Sequence, residues 1–339
     1  MIGLRRGLVR GARISALGVY VPERVLTNDE ISQFLDTSDE WIMTRTGIRE
    51  RRIARVDQAA SDLAEVAATR CLESVGFDPE ALDLVIVTTI SPDHIMPATA
   101  SIVADRIGAT RAGAFDVQAG CTGFVYGLAI ATAFVSANIY ENVLVLGAEV
   151  LSKMLDWEDR STCVLFGDGA GAVLVQPTDN GSIFSFDLGN DGSGAPSLLV
   201  PAGGSRQPAS FETVRTHGHT MHMNGSEVFK FATRTVVGSC QKVLDDAELT
   251  VEDVDLFVPH QANIRIIETV ARRLGFTEGQ VFANLDRYGN TSCASIPICL
   301  HEASQNGRLK KGDTLLMAGF GAGLTWGAAV IRWTKEARR

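Results

Sequence analysis

The 339-residue sequence has no apolar run long enough to cross a bilayer. The stretch from Phe124 to Ile139 comes nearest, but Tyr126, Ser136 and Asn138 interrupt it and it falls short of the roughly 20 residues a spanning helix needs. No CxxC pair occurs, and the six cysteines (Cys71, Cys121, Cys163, Cys240, Cys293, Cys299) are scattered. That spacing excludes a disulfide scaffold and a cysteine-built zinc site, and fits a reducing compartment. The N-terminal stretch MIGLRRGLVRGARISALG holds four arginines and no acid, yet lacks the apolar centre of a secretory signal. A leader ahead of the first strand and a cytoplasmic location are expected. Positive charge is in deficit, 31 Lys and Arg against 40 Asp and Glu, and a net charge of -9 argues against nucleic acid as a bulk partner. The glycine-rich MAGFGAGLTWGAAV has neither the strand–GxGxxG–helix context nor the basic residue of a phosphate loop.

What is present is alternation. SDLAEVAATRCLESVGF reads as an amphipathic helix ending near Gly76, and Thr122 to Ile139 as a long, nearly all-apolar helix. LDLVIVTT, NVLVLGAE and TCVLFGDGAGAVLV read as buried strands. Such alternation predicts an α/β protein with a mostly parallel sheet covered by helices.

The chain also repeats itself. SVGFDPEALDLVIVTT (74–89) resembles DDAELTVEDVDLFVPH (245–260), and DRIGA followed by AFDVQAGCTGF resembles RRLGF followed by FANLDRYGNTS. GDGAGAVLV and GLTWGAAVI close the two halves alike. Matches in this order and at near-equal spacing predict a duplicated α/β unit. The repeat sets Gly120-Cys121 opposite Gly289-Asn290. If the halves pack about a pseudo-twofold, Cys121, His260 and Asn290 converge at its centre.

The residue types at these positions have relevant chemistry. A cysteine at a helix N-terminus has its sulfur near unpaired N–H groups, which favour thiolate. Taken alone, AGCTGF reads first as the string of a buried structural cysteine. His260 ends an apolar strand at Pro259, where open α/β sheets carry ligand groups. Asn290 lies in a Gly-Asn turn and can donate to developing negative charge. Asp168 in FGDGAGAVLV reads as a residue that caps or pairs within its own turn.

With these strings in view, the sequence resembles the β-ketoacyl-[acyl carrier protein] synthase III family of the thiolase superfamily. TSDEWIMTRTGIRERRIA, GCTGFVYGL, FGDGAGAVLV, GSEVFK, PHQANIRII, YGNTSCASIP and GFGAGLTWG carry the resemblance, in order, from about residue 12 to 333. It implies a thiolase-like fold, two duplicated α/β halves packed as a five-layer α-β-α-β-α sandwich. The expected divisions are 12–185 with the nucleophile, a connecting region 186–224, and 225–335 with the histidine and asparagine.

The resemblance further implies a decarboxylative Claisen condensation of a short acyl-CoA with malonyl-ACP. Cys121 is then the nucleophile of a Cys-His-Asn set with His260 and Asn290, and the N–H groups of Cys121 and Ala322 form the oxyanion hole. Ala322 stands where many relatives have glycine, which places the strain of that loop on Gly321 and Gly323. Cys293 and Cys299 match no catalytic position and read as small core residues. Thr37, Trp41, Arg45 and Arg160 match CoA contacts, and Gln261, Ala262, Asn263, Ile264 and Arg265 match the carrier-protein contact. Asn263 is the one of these expected to order the active-site loop. Arg272, Arg273, Lys230 and Arg234 are further candidates for a positive docking face. HIMPATA matches a loop that crosses to a partner in a homodimer, with Met96 in the primer pocket.

No cofactor is implied, acyl-CoA and malonyl-ACP being substrates. No metal is expected at His217, His219 and His222 despite their spacing. Two other readings stand beside this one: a relative from secondary metabolism that uses another primer or transfers acyl groups without decarboxylation, and a catalytically silent binding subunit.

Overall fold

The computed structural model describes residues 10–179 and 183–335. Most of the arginine-rich leader therefore lies outside the described residues. The first half runs β1 (Gly11–Tyr20), α1 (Asp39–Thr46), α2 (Ala60–Glu73), β2 (Leu84–Thr88), α3 (Thr99–Arg106), β3 (Gly113–Val117), α4 (Gly123–Ser136), β4 (Val143–Glu149) and β5 (Gly169–Thr178). The second runs β6 (Ile183–Asn190), α5 (Gly225–Asp246), β7 (Leu256–Pro259), α6 (Ile264–Leu274), α7 (Ser295–Gln305), β8 (Thr314–Gly321) and β9 (Thr325–Arg332).

The strands form two sheets of matching order, β1-β5-β4-β2-β3 and β6-β9-β8-β7. The duplication extends to the position beyond β7, where a single parallel bridge from Phe257 to Val281 stands in for β3. Both sheets are mixed, against the mostly parallel sheet expected. β2 is parallel to β3 and β4, while β5 is antiparallel to β4 and β1. The second sheet repeats this, with β7 parallel to β8 and β9 antiparallel to both neighbours. Antiparallel hairpin strands and parallel crossover strands look alike when both are buried.

Helices fill three layers around these sheets. α2 and α3 cover the outer face of the first sheet, α5 covers the outer face of the second with α6 against it, and α4 and α7 lie between the sheets. This is the five-layer α-β-α-β-α arrangement. α4 can occupy the middle because GFVYGLAIATAFVS is apolar all round, so it presents an apolar face to each sheet. Phe124, Val125 and Leu128 from α4 join Ile296 and Leu300 from α7 in one central core. Each such aliphatic side chain contributes roughly 1.5–3 kcal/mol by leaving water.

Two boundaries and one side-chain role differ from those expected. β5 begins only at Gly169, because Ser161 to Leu165 turn instead of extending and Phe166 makes an isolated bridge to Asn290. Asp168 does not serve its own turn. Its carboxylate accepts from Ala54 N (2.7 Å), Ser152 N (2.9 Å) and Ser152 Oγ (2.5 Å), tying two other segments together. β6 straddles the expected division at residue 185 and runs into the expected connector, and it is the edge strand of the second sheet.

Candidate active site

The duplication brings two glycine-preceded turns together. Gly120 (φ +56°) leads into Cys121 and Gly289 (φ +63°) leads into Asn290, both in the left-handed region that favours glycine. A Cβ on Gly120 would fall 2.6 Å from Ala322 N, and one on Gly321 would fall 2.2 Å from Cys121 N. The backbones carrying the Cys121 and Ala322 N–H groups are therefore packed against each other. Thr325 Oγ1 donates to Ala119 O (2.9 Å) and to Ala322 O (3.2 Å), bridging the two loops, and Thr122 Oγ1 also bonds Ala119 O. Of the two glycines expected to take the strain of this loop, Gly323 has the positive φ (+146°), and Ala322 does not.

Cys121 lies two residues ahead of α4, with Thr122 as the N-cap. Burial outweighs the helix terminus here and pushes the thiol up to about 12. The resting group is thiol, where the sequence suggested thiolate.

His260 follows β7 and is 1% exposed. Its Nδ1 lies 2.7 Å from Ser295 Oγ, its ring meets Phe320 edge-on, and its Nε2 has no partner among the described residues. Burial lowers its pKa from 6.5 to about 3, so the imidazole is neutral. An unfolded chain takes up this proton below about pH 6.5, whereas the folded chain does not until about pH 3. The His260 contribution therefore makes stability fall as pH drops through that window, by about 1.4 kcal/mol per pH unit. Denaturant titrations of the wild type and His260→Gln at pH 7 and pH 5 should show a smaller pH loss in the variant. An equal loss would mean that His260 titrates normally.

Asn290 has its Oδ1 held by Ser292 N (2.9 Å) and its backbone held by Leu165 and Gly167, which leaves its side-chain amide free to donate. Cys121, His260 and Asn290 all line one cavity of about 580 Å³, together with Phe229, Asn263 and Phe320. Cys121 also lines a second, larger cavity with Ile90, Ile95, Met154, Met221 and Ala322. The sulfur stands where the two meet.

Models of 3-oxoacyl-[acyl-carrier-protein (ACP)] synthase III match residues 115–192 and, for its C-terminal part, 244–333. The β-ketoacyl-[acyl-carrier-protein] synthase III of Desulfitobacterium hafniense is 55% identical over 324 residues, 95% of this chain and 98% of that protein. The chain belongs to the synthase III family. The synthase III structure from Thermus thermophilus is 48% identical, with a TM-score of 0.88 over 95% of this chain and 99% of that one. The priming β-ketosynthase of the R1128 polyketide pathway is 37% identical, with a TM-score of 0.92 over 99% of this chain and 100% of that one. This is a thiolase-superfamily condensing enzyme, and its two mixed sheets are the duplicated halves of that fold.

The other residues singled out in the synthase sequence fall in several places. Arg45 and Arg160 both lie over the Trp41 ring, 5.4 and 4.7 Å from its centroid, and the buried Thr37 hydroxyl has no partner among the described residues. None of these four lines the cavity at Cys121. Asn263 joins them to it, since its Nδ2 donates to Arg45 O (3.0 Å) while its Oδ1 caps α6 at Arg265 N (2.9 Å). Gln261 corrects the expected carrier contact. It is 1% exposed, donates to Pro259 O and accepts from Asn284 N, so its side chain is closed to a docking protein. Ala262 lines the first cavity, Ile264 packs against Gly47, and Arg265 is exposed with its guanidinium 5.9 Å from the Phe229 ring centroid. Met96 is 82% exposed and does not line this chain's own cavity; Ile95 does. His217, His219 and His222 each have a separate partner, in Asp156, Thr213 and the His217 carbonyl. Sequence reasoning passed over Glu149, Ser292, Ser295 and Thr325, since isolated hydroxyls and a strand-end acid carry no spacing signature.

Proposed function

We propose that this chain condenses a short acyl-CoA with malonyl-[acyl carrier protein], through an acyl group on Cys121, releasing CoA and carbon dioxide and giving 3-oxoacyl-[acyl carrier protein]. The observation that carries the reading is the position of the sulfur between two cavities, with unclaimed polar groups of His260 and Asn290 facing one of them. In the first half, Cys121 attacks the acyl thioester and CoA leaves. The N–H groups of Cys121 and Ala322 receive the developing oxyanion. The acyl chain rests in the apolar second cavity. In the second half, malonyl thioester occupies the first cavity. A Ser295 hydroxyl donating to Nδ1 fixes the proton of His260 on Nε2, which then donates with Asn290 Nδ2 to the thioester carbonyl. Loss of carbon dioxide leaves an enolate held by those two bonds, and it attacks the acyl carbon and expels the Cys121 sulfur.

CoA is read as entering past α1, its adenine on Trp41 with Arg45, Arg160 and Thr37 around it. Indole offers a flat apolar face and arginine a two-pronged phosphate contact. Carrier protein docks on the N-terminus of α6 through Arg265, with Ala262, Asn263 and Ile264 shaping the mouth. In a homodimer, Met96 enters the partner's second cavity, which gives a place to a large apolar side chain left in solvent by one chain alone. Arg265→Glu should raise KM for malonyl-[acyl carrier protein] roughly tenfold while acylation of Cys121 by acyl-CoA stays within about twofold. Equal losses in both steps would remove Arg265 from the docking face.

Incubation with a panel of acyl-CoA thioesters, read by peptide mass, tests the whole reading. An adduct on the Cys121 peptide and carbon dioxide release on adding malonyl-[acyl carrier protein] are expected. No adduct with any thioester would sink it. The likeness to the R1128 priming ketosynthase, at a TM-score of 0.92, supports a second reading in which the primer is other than acetyl. The preferred member of the panel decides between them.

A further inference from the structure

Asn290 serves only while its amide is aimed into the first cavity, and what aims it lies outside the site. Asn290 N donates to Leu165 O (2.8 Å) and its carbonyl accepts from Gly167 N (3.0 Å), so the turn is docked on residues 165–167 from both sides. Residues 164–168 lie in no helix or sheet beyond this bridge. They are gripped instead by the short strand Glu50–Ile53, which pairs with Arg24–Thr27. Arg51 Nη2 donates to Val164 O (2.7 Å), and Asp168 N donates to Arg52 O (2.9 Å). Two adjacent residues of one strand thus hold both ends of the segment on which Asn290 rests.

Packing alone does not explain an arginine at position 51. The residue is completely buried, and no carboxylate pairs with it among the described residues; Glu50 lies 3.9 Å from Arg52 instead. Burial lowers its pKa to about 10, which leaves it charged at neutral pH. A buried cation without an anion is costly, so its bonds must supply something an apolar side chain could not. Those bonds are directed. Nη1 donates to Leu26 O (3.1 Å) and Asn28 Oδ1 (2.9 Å) on one side, while Nη2 reaches Val164 O on the other. A planar fork fixes the spacing of the segments it joins in a way an ammonium group cannot. Asn28 is itself pinned, its Nδ2 donating to Ile48 O (2.7 Å) and Asp39 Oδ1 (2.8 Å). The stem fits as closely as the fork. A Cβ on Gly289 would lie 3.2 Å from Arg51 Cβ, and one on Gly167 would lie 3.0 Å from it.

We propose that Arg51 is the positioning residue that sets Asn290 for decarboxylation, by holding Val164 and, through the Leu165 and Gly167 backbone, the Gly289-Asn290 turn. It lines neither cavity, so it acts only through the groups it holds. The Cys121 and Ala322 loops are braced separately, by Thr325 Oγ1. Arg51 therefore belongs to the carbon dioxide step and not to acylation.

The inference rests on the condensation proposed above, and its test separates the two. In the full-length chain, Arg51→Lys keeps the charge and loses the fork. Acylation of Cys121 by acyl-CoA should stay within about threefold of wild type. Single-turnover release of carbon dioxide from malonyl-[acyl carrier protein] should fall roughly 10- to 100-fold, as a misplaced donor predicts. Added to Asn290→Ala, the same change should slow that step by less than about twofold more, since the group it positions is gone. Amide exchange read by mass should rise in the peptides holding Gly167 and Asn290 and stay unchanged in α4. An arginine that only supports the fold would slow both steps and add its full loss to that of Asn290→Ala. Either of those results, or wild-type carbon dioxide release in Arg51→Lys, would overturn the proposal. If Arg51→Lys does not fold, Arg51→Met removes the buried charge at similar length and carries the same measurements. Loss of folding in both would make Arg51 a residue of the core and count against a positioning role. Failure of the wild type to release carbon dioxide would instead remove the condensation itself.

Discussion

Cys121→Ala should form no covalent adduct with any acyl-CoA, and its condensation rate should fall by at least about 10⁴-fold. So large a loss is expected because nothing else can take over. Among the described residues no other cysteine, and no serine or threonine, lines either cavity, so none is placed there to replace the sulfur. The change should also be chemically clean. Cys121 is a small buried side chain at the head of α4, and alanine keeps the backbone N–H of the oxyanion hole and the φ that Gly120 provides. Thermal unfolding should therefore stay close to wild type while acyl transfer disappears. An adduct on another cysteine peptide at the wild-type rate would overturn the assignment, and a large fall in Tm would mean that the thiol is a core residue.

The parts of this molecule legible in the sequence are those where one residue type has one physical use. Gly120 and Gly289 are such a case. Both precede a candidate site residue, both take a positive φ, and the repeat had already set them in register. Continuous apolar runs located β2, β4 and α4 for a similar reason, since a segment buried on every side has no polar face to write into the sequence. The direction of the strands was not legible. Whether a buried strand runs parallel or antiparallel depends on its connection, and β5 and β9 return by routes that composition does not mark. Gln261 shows the opposite limit: a polar residue next to Arg265 in a matching stretch reads as surface, but its amide satisfies Pro259 O and Asn284 N inside the protein. Glu149 is harder still. A strand-end glutamate is ordinarily solvated, and only the fold shows this one completely buried, its carboxylate accepting from Thr89, Ile90 and Ser91.

His260→Ala should divide the reaction into two halves that respond differently. Acylation of Cys121 should survive, because the oxyanion hole and the second cavity owe nothing to the imidazole. Release of carbon dioxide from malonyl-[acyl carrier protein] should fall by roughly 10²–10³-fold, the cost of losing one preorganised donor to a developing oxyanion in a dry site. Asn290→Ala should show the same division, and the pair of changes should cost less than the product of the two, since both donors serve one enolate. The pH profile supplies a second check. A neutral imidazole with its pKa lowered to about 3 is already in its donating form throughout the working range. The decarboxylation step should then show no acid limb near pH 6.5, where an ordinary histidine would titrate. A limb at that position, lost in His260→Ala, would mean that the imidazole cycles through its charged form and transfers a proton. Its absence leaves His260 a fixed hydrogen-bond donor.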